Sequence, residues 1–101
     1  MARPLRILFP GAFYHLTNRG NERKAIFRDD EDRRQFIDLL HRSLDIYSVV
    51  LHSFVLMNNH WHLLAQTPLG NLSEFMRYFN IAYTSRFNRR HKRAGHLYQG
   101  R

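Results

Sequence analysis

The sequence predicts an α+β fold in which two amphipathic helices alternate with short β-strands. Two segments place apolar side chains at the spacing of an α-helix. Three other segments are short, rich in β-branched or aromatic residues, and bounded by turn residues. The predicted order of elements is β-α-β-β-α, and residues 96–99 have the character of the beginning of a further strand.

The first strand and the first helix are separated by a polar turn. Residues 12–17 are rich in aromatic residues, follow Pro10 and Gly11, and are followed by turn residues at 18–21. The acidic residues 29–32 then supply an N-cap and a first turn that suits the helix dipole. Apolar residues at helical spacing follow them, so a helix is predicted over residues 30–46.

A β-hairpin and a second helix complete the predicted elements. The apolar segment 48–57 is separated from residues 60–67 by Asn58 and Asn59, which predicts two strands joined by a tight turn. Pro68 and Gly70 end the third strand, and the next helix is predicted to run from residue 72 to about residue 91. Two features should mark its ends, namely a capping box formed by Asn71 and Glu74 and a stop at Gly95.

This order of elements is that of a ferredoxin-like sandwich, in which two helices cover one face of a mostly antiparallel sheet. The other face of the sheet is then open to a ligand. A chain of 101 residues buries only one core, so residues 1–101 are predicted to form a single domain. The last strand would run where the sequence ends at Arg101, so we expect a C-terminally truncated sandwich with an open edge that invites pairing with another chain.

The composition excludes several classes of protein. The chain has no cysteine, which argues against a disulfide-bonded secreted domain and against a thiolate zinc site. It also lacks an apolar run long enough to span a membrane, so we expect a cytoplasmic protein. The net charge is +8, and residues 77–101 contain no acidic residue. This segregated charge indicates a polyanion such as nucleic acid, with a solubilising surface as the alternative.

The predicted third strand carries two histidines that point to the same face. His60 and His62 are two residues apart, and Trp61 between them points to the opposite face. Two imidazoles at this spacing can share a divalent metal ion if a third ligand comes from another element. The alternative is that two polar residues on an open sheet face are merely solvated.

Arginines near the end of the second helix form a candidate phosphate-binding surface. At 100° per residue they continue the stripe of the apolar residues, so the face is predicted to change from apolar to basic near residue 86. The residues concerned are Arg86, Arg89, Arg90 and Arg93. The alternative is that these cations compensate the helix dipole. Arg19, in the turn after the first strand, is a further candidate, with a solvated loop charge as its alternative.

The residues around the two histidines are similar to a known signature. The run Leu56-Met-Asn-Asn-His-Trp-His-Leu-Leu64 resembles the histidine-hydrophobic-histidine (HUH) motif of the single-tyrosine transposases, in the form found in the REP-associated tyrosine transposases and the related IS200-like family. Nearly the whole chain takes part, because other blocks match in order and spacing: Phe13-Tyr-His-Leu-Thr-Asn-Arg-Gly-Asn21, Ile26-Phe-Arg-Asp-Asp-Glu-Asp-Arg-Arg-Gln-Phe36, Leu72-Ser-Glu-Phe-Met76, Arg86-Phe-Asn-Arg-Arg-His91 and Gly95-His-Leu-Tyr-Gln-Gly-Arg101.

The resemblance implies a nuclease domain that cuts and rejoins single-stranded DNA, usually beside a hairpin. His60 and His62 would bind Mg²⁺ or Mn²⁺ at the scissile phosphate, and a tyrosine would attack to form a 5′-phosphotyrosine link. Dimers are also common among the insertion-sequence relatives, so the resemblance is compatible with a homodimer.

The resemblance does not assign the tyrosine nucleophile to a residue of this chain. In the family it lies on a helix after the final strand, so we expect it beyond Arg101. None of the five tyrosines in the sequence matches that position: Tyr14, Tyr47, Tyr78, Tyr83 and Tyr98. A catalytically inactive module that binds single-stranded nucleic acid is therefore the alternative function. An RNA-binding ferredoxin-like domain is less favoured, because the central strands lack the aromatic pair that such domains use.

Overall fold

Three β-strands and two α-helices make up the part of the chain that the computed structural model describes, residues 8–99. Arg101, which belongs to the segment 77–101 that contains no acidic residue, lies outside these residues. The elements are β1 (Ala12–Arg19), a short 3₁₀ turn (Asn21–Arg23), α1 (Asp30–Tyr47), β2 (Val50–Leu56), β3 (His60–Thr67) and α2 (Leu72–His91). Within the described residues, no helix has the length and the hydropathy needed to cross a membrane.

The sheet has β3 at its centre, in the order β1-β3-β2. Both β1 and β2 pair with β3 in antiparallel fashion, so β1 and β2 run parallel to each other on either side of it. The N–H of Met57 donates to the carbonyl of His60 at 2.8 Å, which closes the predicted turn at Asn58 and Asn59. This is the split β-α-β arrangement of the ferredoxin-like fold, and the predicted fold class is confirmed.

One face of the sheet packs against both helices and forms the core. Along β3 the side chains of Trp61, Leu63 and Ala65 are buried, whereas the histidines between them point to the other face. This alternation follows from the two-residue period of a strand. The buried apolar side chains that meet them come from β1 and from both helices, and include Leu16, Phe36, Leu39, Leu40, Phe75, Phe79 and Tyr83. Within residues 8–99, no element covers the opposite face of the sheet.

Helix α1 agrees closely with its prediction. The carboxylate of Asp29 accepts a hydrogen bond from the N–H of Asp32 at 3.0 Å, so Asp29 is the N-cap. The helix ends one residue later than predicted, at Tyr47, because Ser48 adopts a left-handed conformation and its N–H caps the carbonyl of Leu44.

The ends of α2 differ from the prediction, although its range of residues is correct. The capping box does not form, because the side-chain amide of Asn71 donates to the carbonyl of Tyr47 at 2.9 Å and so satisfies the end of α1 instead. The predicted stop at Gly95 is also wrong. Lys92 already adopts the left-handed conformation, with a φ of 53°, and its N–H caps the carbonyl of Asn88.

The last described residues lie beside the outer edge of β1, the edge that does not pair with β3. Tyr98 forms an antiparallel bridge with Gly20, and the N–H of Gln99 donates to the carbonyl of Arg19 at 2.7 Å. The predicted beginning of a further strand is thus present, on the side of β1 where a ferredoxin-like fold places its fourth strand. Strand β1 itself extends two residues beyond the prediction, so Arg19 is a strand residue and not a turn residue.

Candidate functional site

The two histidines of β3 lie together on the open face of the sheet. Trp61 is fully buried beneath the sheet, so His60 and His62 must both point away from the helices. Their ring centroids are 5.1 Å apart, and the ring planes are perpendicular. The strand therefore brings the two imidazoles close enough to contact one bound ion or group.

Asn59 contacts the ring of His60 from the hairpin turn. The Nδ1 atom of His60 lies 2.9 Å from the side-chain oxygen of Asn59. The amide nitrogen of Asn59 donates to the carbonyl of Arg23 at 3.2 Å. The backbone of Asn59 is held as well, because its carbonyl accepts a hydrogen bond from the N–H of Gly20 at 2.8 Å. The ring of His60 is thus attached to the turn that follows β1.

A third histidine contacts His62 from the neighbouring strand. His15 lies on the open face of β1, diagonal to His62, which pairs with Thr17. The Nε2 atom of His15 lies 3.0 Å from the Nδ1 atom of His62, and the two rings stack with their centroids 5.1 Å apart. His60 and His62 therefore both use their Nδ1 atoms for contacts within the protein.

Arg19 is the cation nearest in register to the histidine pair. It pairs with His60 across the β1–β3 ladder, so both side chains lie on the open face. The Nε–H of Arg19 donates to the side-chain oxygen of Gln99 at 3.0 Å. This contact holds the guanidinium through its inner nitrogen, and the outer nitrogens make no hydrogen bond to residues 8–99.

The donor set on this face suits a divalent ion that also takes ligands from elsewhere. The Nε2 atoms of His60 and His62 make no hydrogen bond to any of residues 8–99. No cluster of three or more His, Asp, Glu or Cys side chains suited to a metal occurs in that part of the chain. Two imidazoles with open coordination positions match an ion that is completed by water and by phosphate oxygens of a substrate.

The arginines near the end of α2 differ in the contacts that they make. Arg90 donates to both carboxylate oxygens of Asp29, at 2.8 Å each, and to Asp32 at 2.7 Å. These hydrogen bonds raise the pKa of Arg90 above its ordinary value, and they lower the pKa of Asp29 to about 2. Asp32, itself buried, also accepts a hydrogen bond from His91. Arg90 therefore ties the end of α2 to the start of α1.

The other three arginines of this set differ in their surroundings. Arg93 donates to the side chain of Asn88 and to the carbonyl of His96, and it lies over the ring of Phe87. Phe87 is buried, so the apolar stripe of α2 continues past residue 86 and does not give way to a basic face there. Arg86 and Arg89 make no ion pair or side-chain hydrogen bond with residues 8–99, and Arg89 is exposed.

None of the five tyrosines lies next to the histidine pair on the open face. Tyr83 is buried and donates to the carbonyl of Ile26, and burial raises its pKa well above the ordinary value. Burial likewise raises the pKa of Tyr98, whose hydroxyl accepts a hydrogen bond from Trp61. Tyr14 alternates with the open-face residues of β1, and Tyr47 packs against Tyr78 on the helices. A buried phenol that holds its proton is a poor nucleophile.

Sequence reasoning did not assign a role to two residues that the structure brings to this site, His15 and Asn59. His15 lies on a strand whose apolar residues do not alternate cleanly in the sequence, because Phe13 is apolar yet exposed. The neighbouring apolar Leu16 is the signal that the sequence contains, since a buried Leu16 puts His15 on the opposite face. Asn59 is predicted from the sequence only as a residue of the hairpin turn.

The fold is that of a ferredoxin-like domain with a histidine pair on its open sheet face, and comparisons with known proteins assign the chain to the transposases. A family model described as transposase, IS200-like, matches residues 10–101, and the chain belongs to this family. A solved structure of a REP-associated tyrosine transposase bound to a REP hairpin superposes with a TM-score of 0.76 at 15% sequence identity. The match covers 100% of this chain and 59% of that one. No curated protein matches the sequence significantly.

Proposed function

We propose that this chain is the metal-binding and DNA-binding part of a single-strand DNA endonuclease and strand transferase. The single observation that carries the proposal is the convergence of His60 and His62 on the open face of the sheet. Their Nε2 atoms make no hydrogen bond to residues 8–99. Membership of the IS200-like transposase family supports it. The similar structure, described as bound to a REP hairpin, supports hairpin-forming single-stranded DNA as the substrate class.

Each residue on the open face has a distinct proposed task. His60 and His62 would hold Mg²⁺ or Mn²⁺ through their Nε2 atoms. When bound, such an ion would polarise the phosphoryl oxygens and neutralise the charge that develops on them. Arg19, opposite His60 in the ladder, would bind a phosphate next to the one that reacts. We extend phosphate binding to Arg86 and Arg89, and not to Arg90 and Arg93, whose guanidinium groups are engaged within the protein.

The proposed reaction needs a tyrosine from outside residues 8–99. Its phenol oxygen would give up its proton to solvent and form a bond to phosphorus while the bond from phosphorus to the 3′ oxygen breaks. The 3′ oxygen would take up a proton from solvent, so the exchange neither gains nor loses protons. The product is a 5′-phosphotyrosine link, which conserves the phosphodiester energy for rejoining. The burial of Tyr83 and Tyr98 and the placement of the other three tyrosines on the helix side support this assignment.

Calorimetric titration of the protein with Mn²⁺ tests the metal site. Imidazole nitrogens bind transition-metal ions more readily than Mg²⁺, so Mn²⁺ is the ion for the first titration. The double variant His60→Ala, His62→Ala should lose Mn²⁺ binding. The control is His52→Ala, because His52 is exposed on the same sheet face but contacts Phe13 and Gln66 instead. Equal Mn²⁺ binding by the double variant and the unchanged protein would contradict the proposed site.

A second candidate function is binding of single-stranded DNA without cleavage, and the placement of the five tyrosines favours it for residues 8–99 taken alone. A denaturing gel distinguishes the two functions. The 101-residue chain is incubated with Mn²⁺ and a labelled DNA hairpin, and protein-bound label is scored beside a binding assay. Binding without a covalent adduct is the expected result. An adduct would show that one of the five tyrosines attacks and that the proposed placement of the nucleophile is wrong.

We also propose that the 101-residue chain forms a homodimer through the part of the outer edge of β1 that residues 97–99 leave unpaired. The only backbone pairing of that edge within residues 8–99 comes from residues 97–99, near Arg19 and Gly20. The edge of β2 is less suited to pairing, because a bulge between Leu51 and Ser53 interrupts its register. Sedimentation velocity over a range of protein concentrations tests this, and a species that stays monomeric throughout would contradict it.

A further inference from the structure

We infer that Asn59 and His15 are positioning residues, which hold the rings of His60 and His62 with hydrogen on Nδ1 so that each Nε2 faces outward with a lone pair. The inference rests on the proposed function only for the identity of what binds there, a divalent cation. The state of the two rings is a property of the protein without metal.

The orientation of the Asn59 amide is set by its contact with the turn after β1. Its Nδ2 donates to the carbonyl of Arg23, and an amide nitrogen is the only group of that side chain able to do so. The oxygen of the amide is therefore the atom 2.9 Å from Nδ1 of His60. Because an amide oxygen only accepts hydrogen bonds, the hydrogen between them belongs to Nδ1 of His60.

The protonation of Nδ1 determines what Nε2 of His60 can do. A neutral imidazole carries one hydrogen, so a ring with hydrogen on Nδ1 has an unshared pair on Nε2. That pair is what a metal ion requires of a histidine ligand. In solvent the opposite form of histidine, with hydrogen on Nε2, predominates. Asn59 thus selects the form that can bind a cation and also fixes the plane of the ring.

The backbone conformation around Arg23 fixes the position of the Arg23 carbonyl, which orients the Asn59 amide. Glu22 and Arg23 have φ values of 56° and 59°, a left-handed conformation that is unfavourable for non-glycine residues. Gly20 allows the chain to close on itself here, because a Cβ at this position would lie 2.0 Å from the carbonyl oxygen of Lys24. Such strain is retained where the surrounding structure requires one geometry, and here it delivers the Arg23 carbonyl to Asn59.

His15 has the corresponding position at the second ring. Its Nε2 lies 3.0 Å from Nδ1 of His62, so one hydrogen is shared between these two atoms. For Nε2 of His62 to carry a lone pair, that hydrogen must belong to His62 and the ring of His15 must accept it. Both rings of the pair are then held in the same way, from opposite sides, by one amide oxygen and one imidazole nitrogen.

Nuclear magnetic resonance tests the inference directly in the metal-free protein. Long-range ¹H–¹⁵N correlations of the imidazoles, recorded above the ordinary histidine pKa of about 6.5, report which nitrogen carries the hydrogen. We expect His60 and His62 to carry it on Nδ1. Finding it on Nε2 of His60 in the unchanged protein would overturn the inference, and this measurement requires no variant to fold.

Variants separate positioning from general packing. Asn59→Leu should move the hydrogen of His60 to Nε2 and weaken Mn²⁺ binding by roughly 10- to 100-fold, as loss of an outer-shell partner does. Asn59→Gln keeps both an amide nitrogen for the Arg23 carbonyl and an amide oxygen for Nδ1 of His60, so it should retain the Nδ1 form and most of the affinity. His15→Gln should likewise preserve His62, whereas His15→Phe should not. Asn58→Leu is the matched control in the same turn, since Asn58 contacts Arg33 and not His60.

The possible results distinguish this inference from the proposed function. An Nδ1 form of His60 that survives Asn59→Leu, or an equal loss of Mn²⁺ affinity in Asn59→Gln and Asn59→Leu, would overturn the positioning role. If the ring forms follow the expected pattern but the unchanged protein binds no Mn²⁺, the metal site of the proposed function is wrong and the role of Asn59 in setting the ring of His60 stands.

Discussion

Asp32 shows how one buried carboxylate connects distant parts of the chain. Its oxygens accept hydrogen bonds from the N–H of Arg28 at 2.8 Å, from Arg90 at 2.7 Å and from His91 at 2.8 Å. The side chain is only 1% exposed, so water does not compete for these donors. The carboxylate thus joins the loop before α1, the first turn of α1 and the last turn of α2.

We expect Asp32→Ala to lower the free energy of unfolding by about 2–4 kcal/mol, because it leaves several buried donors without an acceptor. Urea denaturation measures the change. Asp30→Ala is the matched control, since Asp30 lies two residues away in the same helical turn and its side chain is 97% exposed. That variant should stay within about 0.5 kcal/mol of the unchanged protein. Equal effects of the two substitutions would show that the buried network contributes little.

The histidine pair could be predicted from the sequence, and the roles of several charged residues could not. The placement of His60 and His62 on one face depends only on the local period of a strand, which the sequence contains. The role of Arg90 depends on Asp29 and Asp32, about 60 positions earlier, and no helical projection brings those acids near it. The side-chain contact between His15 and His62 depends in the same way on the register of two strands that are distant in sequence.

At the scale of elements, the ion pair between Asp29 and Arg90 makes the contact of α1 with α2 sensitive to acid. The folded protein holds the pKa of Asp29 at about 2, below its ordinary value of 3.8. The folded state therefore binds this proton more weakly than the unfolded state, and the stabilisation is present above about pH 4. It is lost as the pH falls from about 4 through 2.

Asp29→Asn should accordingly flatten the decrease in stability between about pH 4 and pH 2, because the asparagine does not titrate. It keeps the N-cap of α1, since asparagine caps helices as well as aspartate does. Urea unfolding over a series of pH values measures the effect. Asp30→Asn removes the same charge from an exposed side chain and controls for net charge. The prediction fails if the free energy of unfolding of Asp29→Asn decreases between about pH 4 and pH 2 as steeply as that of the unchanged protein.

The loop from Gly20 to Lys24 follows β1 directly and has no room for a side chain at Gly20. In Gly20→Ala the new Cβ would lie 2.0 Å from the carbonyl oxygen of Lys24 and 3.1 Å from Ile26, so the backbone must shift. We expect the free energy of unfolding to fall by about 1–3 kcal/mol, measured by thermal or urea denaturation. Asn21→Ala is the control, because the exposed Asn21 contributes to the loop through its backbone. A stable Gly20→Ala protein would contradict the tight closure of this loop.

Most elements could be predicted because their signals are local. Apolar spacing located both helices, and β-branched runs with a pair of asparagines located the hairpin. The ends of elements were less predictable, since they depend on tertiary partners. Strand β1 continues to Arg19 because β3 offers His60 as its partner. Asn71 leaves its own helix uncapped because the end of α1 lies within reach of its side chain.

For the molecule as a whole, the excess of 16 basic over 8 acidic residues predicts salt-dependent binding to DNA. The log of the affinity for a single-stranded hairpin should fall linearly with the log of the salt concentration. Arg86→Gln with Arg89→Gln should reduce this slope by roughly 1.4, at about 0.7 for each lost phosphate contact. Fluorescence anisotropy with labelled DNA measures it. Arg34→Gln is the control, because Arg34 pairs with Glu31 on the other helix. An unchanged slope in the double variant would show that neither arginine contacts a phosphate and that both are only solvated.

Trp61 is the only tryptophan of the chain, and it lies between the two histidines with its indole fully buried. Its Nε1–H donates to the hydroxyl of Tyr98 at 3.2 Å, so it also contacts the residues that begin the fourth strand. The protein therefore contains its own fluorophore at the site. A paramagnetic ion bound by His60 and His62 would lie within quenching range of this indole, and detachment of Tyr98 would change its emission. Both events can be followed optically in the unmodified protein.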